Sequence, residues 1–253
     1  MKSKLFLVAL LSIGISSMAQ NIKFGVKAGL NLSFLSLAGS IPGGGSTSSN
    51  TGFLIGGLAE YQVNDKFSIQ PELLFSTDGG IYQYSNAFVN SATVYNYKQT
   101  ITTSTISLPV VAKYYVSEGL SIDGGLQIAY LINAKSKLDY STLVSNYSVT
   151  GDNDMSNSQS NLTAGSTPSS NFIVSHDYEL NKLNFGLVLG TTYNLKKGIF
   201  FQVRYNLGLT SFTKNANVLA GKEVTSGSVG DERYKGATLS NSNLQFSVGY
   251  KFQ

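Results

Sequence analysis

Eight stretches of period-two alternation, charge confined to one parity within them, and connections that are short and long by turns predict an all-β chain. The predicted fold is an eight-stranded antiparallel transmembrane β-barrel with short periplasmic turns and long extracellular loops. The first stretch shows the pattern. Over residues 22–34 every even position is apolar (Ile22, Phe24, Val26, Ala28, Leu30, Leu32, Phe34), and the odd ones are Lys23, Gly25, Lys27, Gly29, Asn31 and Ser33. Successive strand residues point to opposite faces, so one face is wholly apolar and the other polar or small. Residues 53–63 and 67–75 carry their apolar side chains at odd positions, and 106–116 and 120–132 at even ones. Residues 183–195 and 199–209 return to odd positions, and 244–252 to even. Each stretch is long enough to cross a bilayer as a tilted strand.

Charge placement separates a membrane barrel from a soluble one. Within the eight stretches the charged residues are Lys23, Lys27, Glu60, Glu72, Lys113, Asp123, Arg204 and Lys251, all on the non-apolar parity. A lipid-facing position excludes charge, because Lys or Arg at mid-bilayer costs about 2–4 kcal/mol. The connections agree. Residues 64–66, 117–119 and 196–198 form short turns, whereas 35–52, 76–105, 133–182 and 210–243 are long and rich in Gly, Ser, Asn and Thr. Their strict alternation puts both termini on the short-turn, periplasmic side. Aromatics cluster at both ends of the strands: Phe24, Tyr61, Phe67, Tyr114, Tyr193, Phe201, Tyr250 and Phe252 at one, Phe34, Phe53, Phe75, Tyr130 and Phe185 at the other. Girdles at the two interfaces, or plain lipid-facing packing, both fit.

Composition removes several alternatives. Charged residues are only 13% of the 253, about half the share usual in soluble domains, and Ser (35), Gly (26) and Asn (21) take their place. With no Cys, disulfides, thiolate metal sites and cysteine nucleophiles are excluded, and a single His excludes a poly-histidine metal centre. The two arginines, Arg204 and Arg233, form no basic run, so no nucleic-acid partner is expected. Residues 1–19 read as a signal peptide. Lys2 and Lys4 precede an eleven-residue apolar run (5–15), and Ser17 and Ala19 take the −3 and −1 positions before Gln20. Residues 20–253 are then the barrel domain, with a charge of 16 − 14 = +2 once the two leader lysines are subtracted from 18.

Several segments resemble the PorT-like outer-membrane β-barrel proteins of the Bacteroidetes. They are Gly25-Val-Lys-Ala-Gly-Leu-Asn31, Gln70-Pro-Glu-Leu-Leu-Phe-Ser76, Leu108-Pro-Val-Val-Ala-Lys-Tyr-Tyr115, Arg204-Tyr-Asn-Leu-Gly-Leu209 and Val248-Gly-Tyr-Lys-Phe252, with Met18-Ala-Gln20 ending the leader. The last strand also resembles the C-terminal insertion signal of such barrels, although Gln253 follows the aromatic Phe252. The resemblance implies an eight-stranded outer-membrane barrel. The family's namesake takes part in type IX protein secretion, which implies an accessory secretion role as one possible activity.

Pro71 and Pro109 fall inside predicted strands, where a closed barrel has no free edge to hide a missing donor. Bulges or local bends, or later strand starts, are expected there.

An eight-stranded barrel has an interior just wide enough for side chains, so a solute channel is not expected. The interior charges read as structural. Glu72 and Arg204 each lie six residues past a short turn, and Lys113 and Asp123 flank one turn at equal distances. A lumen network of Glu72, Arg204, Lys113 and Asp123 with Glu60 nearby is the expected arrangement, since a buried unpaired charge is costly.

Other chemistries find weaker carriers. His176, between Ser175 and Asp177, sits in a polar stretch and reads as a solvated loop histidine, though a lipid-modifying barrel enzyme would need such a residue. Asp152-Asn-Asp154 resembles the start of a calcium loop but lacks its Gly and distal Glu. The Gly43-Gly-Gly-Ser-Thr47 run lacks the lysine of a phosphate loop and reads as flexible linker.

The expected function is therefore a non-enzymatic surface barrel, without cofactor or metal, in contact with outer-membrane lipid. A secretion accessory that contacts other secretion-system or surface proteins is the alternative.

Overall fold

The computed structural model describes residues 21–38, 46–88, 93–142, 147–154, 160–167, 170–176, 180–211 and 238–252. Among them run the strands β1 (Ile22–Ala38), β2 (Ser46–Gln62), β3 (Phe67–Phe88), β4 (Thr93–Ser117) and β5 (Leu120–Thr142). After these come β6 (Tyr147–Asp154), β7 (Ser160–Thr167), β8 (Ser170–His176), β9 (Leu183–Asn194), β10 (Ile199–Gly208) and β11 (Thr238–Lys251).

Eight of them close on themselves. Neighbours pair antiparallel in the order β4-β3-β2-β1-β11-β10-β9-β5, and β4 pairs with β5 to complete the ring. Closure leaves no edge, the condition under which strands can span a bilayer. β6 lies beside β5 beyond the barrel, and β7 and β8 form a separate two-stranded hairpin.

The pleat sorts the side chains as the alternation requires. Phe24 is 61% exposed, Leu126 64% and Leu189 61% on the outside, while Arg204, Lys27 and Lys113 are among the largest fully buried side chains. That arrangement is inside-out for a soluble protein and correct for one whose outer solvent is lipid. Leu54, Leu58, Leu74, Val111, Val188 and Phe200 also turn inward and are buried, so the lumen is polar with apolar infill. At the short-turn rim Phe67 meets Tyr114 (ring centroids 5.1 Å apart) and Tyr250 meets Phe252 (5.5 Å), and at the other rim Phe53 meets Phe75 (5.9 Å).

The three short turns lie where the sequence places them. Gly119 (φ 87°) turns β4 into β5, and Lys197 (φ 72°) with Gly198 (φ 86°) turns β9 into β10. Asn64 closes the β2–β3 turn, its Oδ1 accepting from the amides of Lys66 and Phe67 at 2.9 Å each.

Three sequence expectations need correction. The stretches read as the loops 35–52, 76–105 and 133–182 are largely strand: β1 runs on to Ala38, β2 begins at Ser46, β3 runs on to Phe88, β4 begins at Thr93, β5 extends to Thr142, and β6, β7 and β8 follow. Two features hide them. Asp78-Gly79-Gly80 reads as a turn yet runs straight through the ladder against β4. In β5 the register slips between Ser104/Asn133 and Thr105/Leu131, leaving Ile132 as a bulge residue. Above it Lys135 and Lys137 face out and Ala134 and Ser136 in, so the alternation changes parity.

The prolines are the second correction. No bulge lies at either one: Pro71 faces Val110 and Pro109 faces Gln127 in unbroken register. Pairing of β3 with β4 lapses only between Pro71/Val110 and Leu74/Ser107, then resumes unshifted. The two missing donors thus fall at one place.

Third, Asp152 and Asp154 sit in a strand rather than in an Asx-rich loop, opposite Lys137 and Lys135 of β5. His176 likewise ends β8, across from Ser160, instead of lying in a loop. Residues 1–20, 39–45, Asp177 and Arg233 lie outside the described residues, and with them the leader, most of the glycine run and one neighbour of His176.

Candidate functional site

The inward parity brings the predicted charges together in the half of the lumen nearer the short turns. Glu72 of β3 lies between two cations: Arg204 Nη1 of β10 at 2.8 Å from Oε1 and Lys27 Nζ of β1 at 2.7 Å from Oε2. Gln70, two residues away on the same face, donates to Glu72 Oε1 at 2.5 Å. Arg204 Nη2 continues to Asp123 Oδ2 of β5 at 3.5 Å. Asp123 accepts further bonds from Ser121 (2.8 Å), Thr192 (2.5 Å) and Gln202 (3.3 Å). Lys27 also donates to Gln202 Oε1 at 2.9 Å, which ties the two carboxylates into one network.

Glu60 makes a second centre closer to the short-turn rim. Lys251 Nζ lies 2.5 Å and Lys113 Nζ 3.8 Å from its Oε2, while Ser68 donates to Oε1 at 2.8 Å and Tyr115 donates there as well. Lys113 and Asp123 do face each other in register, as their distance from the turn suggests. No ion pair within 4 Å joins their side chains, however, and Lys113 donates to Gln70 Oε1 at 3.1 Å. Lys251 donates to Asn194 Oδ1 at 2.6 Å and lies 5.3 Å from the centroid of the Phe200 ring.

The network expected from the sequence leaves out three interior charges. Lys27 and Lys251 share the inward parity of the others, and adding their depth past the termini would have placed them in the network. Asp78 was hidden because its segment reads as loop. It sits in the half of the lumen farther from the short turns, 5% exposed, and accepts from Asn31 (3.3 Å), Ser33 (3.0 Å), Asn243 (2.8 Å) and Ser76 (2.9 Å).

Side chains packed in this way suit a filled lumen, not a pore. Every charge in the inner cluster has an opposite charge within 4 Å, so the charges are compensated internally, although Arg204 Nε makes no hydrogen bond. In that cluster the carboxylates are locked by cations, amides and hydroxyls. Below it, at the short-turn mouth, an open recess of about 510 Å³ is lined by Lys23, Asp65, Lys66, Glu118 and Lys251 among others.

The sequence profile described as "Outer membrane protein beta-barrel domain" matches residues 18–214. No curated protein sequence matches the chain significantly. Among solved structures it is similar to Ail, the attachment invasion locus protein of Yersinia pestis, at 11% identity and a TM-score of 0.39, covering 91% of this chain and 98% of that one. It is similar also to OprG from Pseudomonas aeruginosa (15% identity, TM-score 0.40, 91% and 96% covered) and to Neisserial surface protein A (12%, 0.39, 90% and 97%). These are distant likenesses, and the barrel is established here by the profile and by the closed ladder itself.

Proposed function

Because the chain belongs to the outer membrane protein beta-barrel domain family, we propose that it is a non-enzymatic outer-membrane barrel that holds a polar sheet and its connecting loops at the cell surface. Its work there is envelope structure or contact with molecules outside the cell. The observation that carries this reading is the sheet of β3, β4, β5 and β6, which continues past the apolar band. Outward positions change from Ile106 and Ile132, both exposed apolar residues, to the exposed Thr102, Lys135 and Lys137. Opposite charges face each other there in register, Lys98 with Asp139, a pattern that favours a self-standing sheet in water.

The reading includes an orientation. With the short turns and both chain ends in the periplasm, the long polar side faces outward, and residues 1–19 serve as the export leader. The motifs shared with PorT-like barrels support the same address.

The chain has no Cys, so single cysteines test the orientation cleanly. An impermeant maleimide on intact cells should label Lys137→Cys at once and Asp65→Cys only after lysis. The reverse pattern overturns the reading. Comparing periplasmic and extracellular proteomes with and without the protein then tests the role. Matching proteomes are expected. Secreted cargo piling up in the periplasm would replace this reading with an accessory role in type IX-like secretion.

A further inference from the structure

We propose that the barrel wall has a built-in seam at residues 70–73 of β3, where its strands part first, and that the ion pairs of Glu72 inside the lumen hold it shut. The proposal depends on the barrel and not on the surface role. Pairing of β3 lapses on both of its sides there. Toward β2 it breaks off between Leu58/Glu72 and Tyr61/Ile69, and toward β4 between Pro71/Val110 and Leu74/Ser107, each time resuming without a shift. Two absent donors account for both gaps. In an antiparallel ladder a hydrogen-bonded pair exchanges two N–H···O bonds, and successive residues turn their amides to alternate neighbours. Pro71 lacks the N–H that the Ala59 carbonyl of β2 would accept, and Pro109 lacks the one due to the Glu72 carbonyl of β3. Both carbonyls are thus left without a ladder donor, in a wall whose outer face at that level is Leu73, Leu108 and Val110, all exposed. Lipid offers no donor in exchange.

Side chains take over where the backbone lets go. Glu72 is gripped from β10 by Arg204 at 2.8 Å and from β1 by Lys27 at 2.7 Å, and Gln70 accepts from Lys113 of β4 at 3.1 Å. These contacts cross the lumen or the seam itself, so they resist outward movement of the very residues that the ladder holds least. Elsewhere the backbone needs no such help: β10 pairs with β11 without a gap from Ile199/Tyr250 to Asn206/Asn243. Sheets confine proline to edges, strand starts and bulges, whereas Pro71 and Pro109 sit in unbulged neighbouring strands of a closed ring. Local opening costs the free energy of the contacts that must break. At this one place the ladder's share of that cost is reduced, and the buried ion pairs of Glu72 supply the rest.

The test is amide hydrogen exchange of the full chain, refolded in lipid nanodiscs and read at single-residue resolution. The amides of Ala59 and Glu72, whose return bonds are missing, should be protected about tenfold less than those of Val203 and Phe246, which face each other in the unbroken β10–β11 ladder. Pro109→Ala returns a donor to the Glu72 carbonyl without touching an ion pair, and should raise protection at Glu72 to the level of that control. Pro71→Ala should do the same for Ala59. Glu72→Gln keeps the shape of the side chain and removes its charge. It should lower protection at position 72 and at Ala59 by a further factor of about ten and leave Val203 and Phe246 unchanged. Should Glu72→Gln fail to refold, the two proline variants carry the test by themselves. Equal protection at seam and control in the wild type, no gain in either proline variant, or a loss in Glu72→Gln spread evenly around the ring would each overturn the proposal.

Discussion

Arg204 on β10 meets Asp123 on β5 across an intervening strand, at 3.5 Å, because the β9 residue in register with both is Gly190. A side chain on β9 at that depth would stand between them. A Cβ built on Gly190 would lie 2.6 Å from Arg204 Cγ and 2.4 Å from the Val203 carbonyl oxygen, inside any real contact distance. The glycine is thus a requirement of the ion network, and it is legible only once the register is known.

From that contact, Gly190→Ala is expected to destabilise the barrel by about 1–3 kcal/mol through overpacking against backbone that cannot yield. Urea unfolding in detergent checks it. A midpoint equal to the wild type's would mean that Arg204 is free to move aside.

Arg204→Ala should be worse. It strips Asp123 of its guanidinium and leaves Glu72 with Lys27 alone, and breaking a buried pair from one side costs about 3–5 kcal/mol. The unfolding temperature read by the gel shift between folded and heated protein should fall clearly. If it does not move, the network is ornament and not support.

The outer surface gives a depth-resolved contrast. Leu126, 64% exposed in the middle of the lipid-facing band, should not tolerate arginine: Leu126→Arg should lose about 2–4 kcal/mol and refold poorly into vesicles. Thr102→Arg, also outward but past the apolar band, should refold like the wild type. Equal behaviour of the two variants would place the bilayer boundary elsewhere.

The filled lumen has an electrical consequence. Planar bilayers holding the purified protein should show no steady conductance, because Lys27, Lys113 and Arg204 are buried among their partners across the interior. A reproducible open level in the wild type would show a continuous water path past them.

Much of this was legible in the sequence because lipid imposes a rule at every second residue. Inside the membrane band the apolar parity of 22–34 or 244–252 can mean only one face and one register, and the short turns follow from where the parity restarts. The inward charges were legible as a set for the same reason. Outside the band the rule lapses. β3 beyond Ser76 and β5 beyond Ile132 face water on the outside, so Thr, Lys and Gly replace the apolar marker, and a single bulge residue reverses the parity.

Partner choice was likewise a matter for the closed barrel. Counting residues from a turn correctly sets Lys113 opposite Asp123, yet closure brings Glu60 and Gln70 within reach of Lys113 and gives Asp123 to Arg204. Asp78 meets Asn243 although two strands lie between theirs in the ring. Which side chains enter the lumen follows from the residue pattern, since alternation is a local property of the strand. Which of them touch is settled by the closed ring, because contacts across a lumen depend on its curvature and stagger.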